Sequence, residues 1–448
     1  MSTSLTALLL AAAPAVSRVL PGRPRLLVIP LAVSVLCVLW IALLRAALPG
    51  FRPRHTRIAI GLSVTMVAAI LLRFMLRSVA GAMGGSWFYL LVILPTAVLQ
   101  VTVIASLMSA PFWVPLGLWA KRRLQRLPQV VPSPPQSTAL GRPLPRALQR
   151  PVQVLRRIGV LPAPGAAPRI TRREVLLAAP WVVPAGAFVG SLYGVGYESR
   201  HVVLRQVKIR IPGLPPALAG LRIGQVTDIH IARLQTQMRQ LERALQLLAD
   251  ARVDLLCPTG DLCDEPRVHL DVLRLIQSMP ARLGHFACLG NHELYLGDLD
   301  WVRRCYDRAK IHLLEDESVL LDGLRLVGLS YPSHERSPRM DPSRVPALLD
   351  EALREQRREE TTVLLSHHPH TFPGVAGRNV ALQISGHTHG GQVGFGERGW
   401  IEPFYPNARG HYKQQDGSQL YVSSGLGHWL PFRLNCPPEA VIIELQPA

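Results

Sequence analysis

The sequence predicts amino-terminal transmembrane helices followed by an α/β domain, on three observations. Residues 1–173 contain no Asp or Glu, yet they hold 21 of the chain's 49 Lys and Arg residues, set between long apolar runs. From His201 onward, strand-like runs alternate with amphipathic helical stretches such as Met238 to Ala251, where Leu241, Leu245 and Leu248 share one face. Five of the strand-like runs end in Asp, Asn or His beside turn residues, the position where ligands bind in open α/β sheets.

The net charge of +19 belongs to the first of these parts, because the residues after 173 carry 28 basic against 30 acidic side chains. A basic arm for nucleic acid is therefore not the reading. Arginine-rich loops between apolar spans are, and the bilayer is the expected partner.

In chain order, residues 1–120 form the transmembrane region. Leu5 to Val16 is short and has no basic residue ahead of it, which makes a poor signal peptide. Leu26 to Leu44 is uncharged and of spanning length, and Arg45, Arg52, Arg54 and Arg57 follow it. Ile58 to Leu76 is a second span, interrupted by Arg73. Ser78 to Ala120 has no charge, enough for one span with an interfacial piece or for two; Pro95, Pro111 and Pro115 interrupt it, and one main span from about Trp87 to Met108 is the preferred expectation. Residues 121–173 are basic and Pro-rich, a solvated linker. Residues 174–195 are a transmembrane anchor or, with Arg172-Arg173 ahead of an apolar run, a twin-arginine-like signal. Residues 200–448 form the α/β domain.

The positive-inside rule puts Arg45–Arg57 and Lys121–Arg173 in the cytoplasm. The anchor then carries the α/β domain to the outer face of a bacterial-type cell membrane. A re-entrant or interfacial anchor, which Pro180 and Pro184 would permit, leaves it on the cytoplasmic face. The cysteines lack zinc-ribbon spacing, and several lie in apolar runs, so buried free thiols are expected in place of a disulfide frame.

The polar strand ends are specific. Asp228-Ile229-His230 follows the run Leu221 to Val226, and Gly260-Asp261 follows Asp254 to Cys257. Gly290-Asn291-His292-Glu293 follows His285 to Leu289, and Ser366-His367-His368-Pro369 follows Thr361 to Leu365. Gly386-His387-Thr388-His389-Gly390-Gly391-Gln392 follows Val380 to Ile384. The two imidazoles of that last stretch can meet at one point only if the chain leaves regular pleat, a freedom that glycines supply. Asp228, His230, Asp261, Asn291, His367, His387 and His389 together give two carboxylates, one amide and four imidazoles. That set suits manganese, iron or zinc better than calcium or magnesium alone. Seven ligands exceed one tetrahedral site but fit two divalent metal ions sharing a carboxylate, about 3.5–4 Å apart and able to grip both ends of an in-line displacement at phosphorus.

This series, Asp-x-His, Gly-Asp-x-x-Asp, Gly-Asn-His-Glu, His and Gly-His-x-His, resembles the calcineurin-like metallophosphoesterases from about Val203 to Leu445. The resemblance implies two mixed β-sheets in a sandwich flanked by helices, with a dimetal site at strand ends. It implies that Asp228, His230 and His389 hold one metal, that Asp261 bridges, and that Asn291, His367 and His387 hold the other. His292 would stabilise transition-state charge or protonate the leaving oxygen, oriented by Asp264. Glu265-Pro266 stands where phosphoprotein phosphatases of the superfamily carry Arg-Gly, which argues against a phosphoprotein substrate. The tail from Tyr421 to Gly427 with Leu430-Pro431-Phe432-Arg433 and Pro438-Glu439 is similar to the membrane-associated branch, that of transmembrane proteins with a metallophosphoesterase domain. Some members of that branch cleave the pyrophosphate of UDP-2,3-diacylglucosamine in lipid A biosynthesis.

His368, His370, His411 and His428 are expected to support the site without ligating. Trp429, Leu430 and Phe432 line either an apolar substrate entrance or the core. The function so read is a membrane-anchored dimetal phosphoester hydrolase acting on a phosphodiester or pyrophosphate of a lipid-linked substrate. A general phosphodiesterase or phosphomonoesterase of the cell envelope is the alternative. A non-catalytic subunit of a membrane complex is a third reading, which a missing ligand would favour, and none is missing. Transport through residues 1–120 is disfavoured, since those spans hold no acidic residue to carry a cation.

Overall fold

The computed structural model describes residues 25–48, 51, 53–76, 94–125, 178, 181–232, 235–333, 339–428 and 430–448. The chain divides into two compact units, one ending at Leu192 and one beginning at Tyr193. The twin-arginine-like stretch, most of the Pro-rich linker and Trp429 lie outside the described residues.

The first unit contains α1 (Arg25–Ala47), α2 (Pro53–Leu76), α3 (Leu94–Met108) and α4 (Ala110–Gln125). Trp40, Ile41, Leu44, Ala59, Val103 and Trp113 pack together as its core. The Lys121 ammonium donates to the carbonyls of Arg45 and Ala46, each at 2.7 Å, and so closes the carbonyl end of α1. Among the described residues no single helix is long and apolar enough to cross a membrane; α3 and α4 together have the length and composition, bent by 73°. Helix α3 ends at Met108, where the span expected from about Trp87 ends, and residues 87–93 lie outside the described residues. Pro111 brings no amide hydrogen, so the Leu107 carbonyl loses its helical donor and the helix breaks at Ser109 and starts again, while Pro115 lies inside α4. The helix also runs on through Lys121 to Gln125, residues the sequence assigned to the linker. Helix α5 (Val182–Gly196) is uncharged but only 15 residues long, about 22 Å, against a hydrocarbon core of about 30 Å.

The second unit is a sandwich of two six-stranded sheets, both mixed. The first has the order β1 (Val203–Ile211), β14 (Glu439–Pro447), β2 (Arg222–Val226), β3 (Leu255–Pro258), β4 (Gly284–Ala287), β5 (His312–Leu313). Only the β14–β2 pairing in it is antiparallel. The second has the order β12 (Gly410–Lys413), β13 (Gln419–Val422), β9 (Leu382–Ser385), β8 (Thr361–Leu365), β7 (Leu324–Gly328), β6 (Glu317–Leu321), antiparallel at its two edge pairs. Helices cover both outer faces, so the central strands are apolar on both sides and read as continuous runs. In β3, Leu255 and Cys257 face the inter-sheet core with Val363, Leu365, Leu382 and Ile384, while Leu256 faces outward. There it packs under α6 (Gln235–Asp250), α7 (Pro266–Gln277) and α9 (Leu299–Ala309). Leu241, Leu245 and Leu248 are the buried face of α6. Val345 and Leu349 of α10 (Val345–Ala352) do the same for the second sheet, against Val327 and Leu364. All six cysteines are buried and free.

Two buried polar groups fix the end of the sandwich where the strands stop. The Gln225 amide, on β2, donates to Thr259 Oγ1 at 2.8 Å and across to the Ser385 carbonyl of β9 at 2.9 Å, tying one sheet to the other. The Arg433 guanidinium is fully buried and donates to five carbonyls, of Ser424, Gly425, Gly427, Cys436 and Pro437. It holds the 424–437 segment as a strap, and through it Leu426 and Gly427 donate to the carbonyls of Thr227 and Asp228.

Replacing Arg433 by Met strands several buried carbonyls. The expected cost is about 2–4 kcal/mol, a fall in melting temperature on the order of 10 °C. Thermal unfolding of the full chain checks it. Arg433→Lys restores little, because an ammonium cannot reproduce the planar fork.

Candidate metal centre

All nine residues singled out from the sequence meet at the carboxyl ends of β2, β3, β4, β8 and β9. Five of them get there by leaving the strands through left-handed backbone. Asp228 and His230 have φ of 51°, Asp261 55°, His387 72° and His389 50°. Such conformations cost about 1–3 kcal/mol each and persist where the surroundings over-determine them; Asp, Asn and His tolerate them best. From His389 the left-handed region continues through Gly390, Gly391 and Gln392, at 61°, 65° and 63°. This tight reversal lets His387 and His389, two apart in sequence, bring ring nitrogens into one cluster. Two glycines allow the closest approaches. A Cβ on Gly386 would overlap an Asp228 carboxylate oxygen, and one on Gly290 would overlap that of Asp261.

Both carboxylates are buried. Asp228 accepts the His387 amide on both oxygens at 2.9 Å and the Thr227 hydroxyl at 2.8 Å. Burial still dominates and pushes its carboxyl up. Asp261 accepts the His292 amide at 2.8 Å and lies 3.2 Å from His367 Nε2. Burial works against its anion too, but the charges and hydrogen bond of the surrounding imidazoles, His367 foremost, hold it well below the usual carboxylate range. Glu293, in the short helix α8 (Asn291–Tyr295), accepts from the amides of Asp261, Leu262 and Gly290, each at 2.8 Å. It locks the Asp261 turn to the Asn291-His292 turn.

The imidazoles show why cations belong here. His367 Nδ1 lies 2.7 Å from the Thr259 carbonyl, which can only accept, so that nitrogen carries the hydrogen. In the neutral ring Nε2 is then a lone pair aimed at the Asp261 carboxylate. Burial opposes protonating it, yet Asp261 raises His367 to about 10. His230 repeats the pattern. Its Nδ1 meets Asp264 at 3.1 Å, and its Nε2 points at His389 Nε2, 3.1 Å away. Burial resists charge there also, and Asp264 with the other carboxylates pushes it up to about 9. Lone pairs converging on carboxylates, with the far ring nitrogen committed to a carbonyl or carboxylate, is the arrangement of metal-ligating histidines.

The donor atoms fall into two outer groups joined by a third, in which His230, Asp261 and His292 lie together. Asp228, His230 and His389 lie together, as do Asp261, His367 and His387. Asn291 Oδ1 joins the second group, 3.0 Å from His387 Nδ1. The amide, imidazole and carboxylate donors, with no cysteine among the donor groups of the described residues, fit two divalent transition-metal ions. His292 Nδ1 is 2.7 Å from the Asp264 oxygen that also meets His230, so its Nε2 is turned toward Asp261, at 4.0 Å. The two hydrogen-bonded histidines offset burial and hold Asp264 far below the usual carboxylate range. His292 and Asp264 are 30% and 29% exposed, which makes them the open side of an otherwise buried cluster.

Other sequence expectations resolve as follows. His368 packs on His387 and His370 on Tyr405, while His411 bonds Gln419 at the edge of the second sheet. Phe432 is buried and Leu430 exposed, so that segment serves core and surface at once. Glu293, Thr259 and Arg433 were not assigned roles from sequence; for Glu293 the signal was its place three residues after Gly290, where a side chain can reach back to an amide. A cleft of about 260 Å³ lined by Arg205, Lys208, Arg409, His411 and Tyr421 runs along the β1 and β12 edges. It contains none of the nine residues, so donor chemistry marks the site better than concavity.

Residues 221–391 match the family model for calcineurin-like phosphoesterase. An uncharacterized metallophosphoesterase of Helicobacter pylori is 29% identical over 51% of this chain and 60% of its own. A transmembrane protein with metallophosphoesterase domain from Danio rerio is 26% identical over 58% of this chain and 60% of its own. An uncharacterized metallophosphoesterase of Aquifex aeolicus is 29% identical over 58% of this chain and 98% of its own. The chain thus spans about 60% of the length of the first two of these relatives. A solved dimetal phosphatase from Danio rerio covers 48% of this chain and 90% of its own at 14% identity, with a TM-score of 0.31, too remote to carry an argument. The matched segment contains every one of the nine residues that converge at the strand ends, and with it this chain carries a calcineurin-like metallophosphoesterase domain.

Proposed function

We propose that this protein is a membrane-anchored dimetal phosphoester hydrolase acting on a lipid-linked phosphodiester or pyrophosphate, with UDP-2,3-diacylglucosamine the leading named candidate. The observation that carries the hydrolase reading is the pair of buried donor groups joined through His230 and Asp261, with one half-exposed histidine, His292, beside them.

Asp228, His230 and His389 would hold one ion, Asn291, His367 and His387 the other, and Asp261 both. Two divalent ions bound there supply Lewis acidity to the attacking and leaving oxygens of an in-line displacement. The chain's own contribution starts with His292. Asp264 receives the Nδ1 hydrogen, which fixes the ring and leaves Nε2 to meet the substrate. Protonated, Nε2–H donates to a phosphoryl oxygen or passes its proton to the leaving oxygen, while anionic Asp264 stabilises the imidazolium. Asp264 also orients His230, so one carboxylate couples the metal ligand to the acid.

The lipid part of the reading is supported by apolar surface. Val35, Leu39, Ile58, Leu62, Phe112 and Trp119 of the first unit are exposed. So are Phe395, Phe404 and Leu430 of the second. Those last three sit on segments bonded to the left-handed turn of the site. Gln392 Nε2 donates to the carbonyls of Leu430 and Phe432, and Trp400 Nε1 to that of Gly391. Burying acyl chains on such a surface contributes about 0.8 kcal/mol per methylene.

Three outcomes are expected. The full chain retains two transition-metal ions, and Asp261→Ala loses metal and reduces hydrolysis of a nitrophenyl phosphodiester to background; metal analysis and steady-state rates check this, and undiminished turnover after exhaustive chelation overturns it. His292→Ala keeps its metal and loses about 10²–10⁴-fold in rate on alkyl esters, with a smaller loss on nitrophenyl esters whose leaving oxygen needs no proton; equal losses leave charge stabilisation as its role. Finally, kcat/KM in detergent micelles is higher for a lipid-linked pyrophosphate than for the same headgroup without acyl chains. Equal values on the two would discard the lipid and leave a general phosphodiesterase.

A further inference from the structure

His387 differs from its fellow imidazoles in how its ring is held. His230 and His367 are each steered by a hydrogen bond from the far ring nitrogen, to Asp264 and to the Thr259 carbonyl. His387 turns Nδ1 toward Asn291 and His367, at 3.0 and 3.2 Å, and among the described residues its Nε2 makes no hydrogen bond. Its ring instead lies against that of His368, with centroids 4.2 Å apart and planes inclined by 30°.

His368 is itself rigid. It is 5% exposed. Its Nδ1 accepts the His370 amide at 3.2 Å, so in the neutral ring Nε2 carries the hydrogen. That hydrogen reaches the Tyr405 hydroxyl oxygen, 3.2 Å away. Tyr405 is clamped in turn, its ring stacked on His370 at 4.1 Å and its amide bonded to the Ile401 carbonyl at 2.8 Å. Tyr331 closes the other side, 6.0 Å from His368 and 6.2 Å from His367. The chain Tyr405–His368–His387 thus orients this imidazole by ring packing where His230 and His367 use a hydrogen bond.

We infer that His368 and Tyr405 are positioning residues for His387, and that through it they set the affinity of the ion in the Asn291–His367–His387 group without touching the ion in the Asp228–His230–His389 group. The inference rests on the dimetal reading above. It makes the two groups unlike, since in one His230 is braced by a charge-assisted hydrogen bond to Asp264, while the other, with His367 held by the Thr259 carbonyl, leans on a stacked ring at His387. Groups that orient metal ligands are worth about 10–100-fold in affinity when removed, and a ring stack contributes less than a hydrogen bond to a carboxylate.

The test is calorimetric titration of the full-length, chelator-stripped chain in detergent with Mn²⁺, where Asn291→Ala marks the binding event that belongs to the His387 group. His368→Leu should weaken that event by about 10–100-fold and leave the other unchanged. Tyr405→Phe should weaken the same event by a smaller factor, and His368→Phe, which keeps the ring, should recover most of the affinity. Both events weakening together in His368→Leu and in Tyr405→Phe would show a merely structural role, and unchanged affinities would remove the role altogether; either overturns the inference. A wild-type chain that takes up fewer than two ions would overturn the dimetal reading and this inference with it.

Discussion

Taking two carboxylates out of water side by side costs several kcal/mol for each ion unless positive charge and hydrogen bonds arrive with them. Asp228 and Asp261 are in that position at the end of the sandwich, and neither sheet alone can compensate them. The first sheet brings the two acids with His230 and Asn291; the second brings His367, His387 and His389. Compensation therefore requires the strand ends of both sheets to stop at the same place. The Gln225 amide, bridging Thr259 and Ser385, keeps them there. The same requirement accounts for the backbone. Five residues in left-handed conformation within one cluster would be a large strain anywhere else. Here each one points a donor at a shared centre, and cations at that centre gain from all of them together.

The braces beneath the site are of one kind. Glu293 satisfies three amides, Arg433 five carbonyls, and neither pairs directly with an opposite charge. Each is a buried ion used as a multidentate hydrogen-bonding hub for irregular backbone. That is what a site built on loops needs, because loop amides and carbonyls have no ladder to satisfy them. Burial pushes the Glu293 carboxyl up and the Arg433 guanidinium down. The three amides work against that shift at Glu293, and the negative charges of Glu439 and Asp228 work against it at Arg433.

The ligand-bearing turns were legible in the sequence because each is local: an apolar run, a turn glycine, then Asp, Asn or His. The strands β2, β3, β8 and β9 lie where those runs put them, to within a residue or two. What could not be read was set by contacts between segments far apart. Tyr405 reaches His368 from a loop with no periodicity, 37 residues away. Arg433 was visible only as part of a family-like tail, since nothing local tells a buried guanidinium from a surface one. The bend at Ser109 was hidden for another reason. Prolines 111 and 115 read alike as interruptions, yet the chain breaks just ahead of Pro111 and runs on through Pro115 as helix, a difference the residue type does not encode.

The left-handed turn from His389 to Gln392 joins chemistry to surface. Its first residue belongs to the donor group of Asp228 and His230. Its last sends an amide to the carbonyls on either side of Pro431, between exposed Leu430 and buried Phe432. The Leu434 amide then returns a hydrogen bond to the Gln392 carbonyl at 2.9 Å. Four consecutive left-handed residues leave little slack, because most side chains could not follow the backbone elsewhere in that region. The 430–434 segment and His389 are thus linked through a stiff element, and an apolar group settling against Leu430 meets a surface already referenced to the metal centre. For the lipid-linked phosphate proposed as substrate, such a link bears on a geometric problem. The acyl portion and the scissile bond must be held by the same rigid piece, since a reacting phosphorus out of place by an ångström loses most of the benefit of being bound.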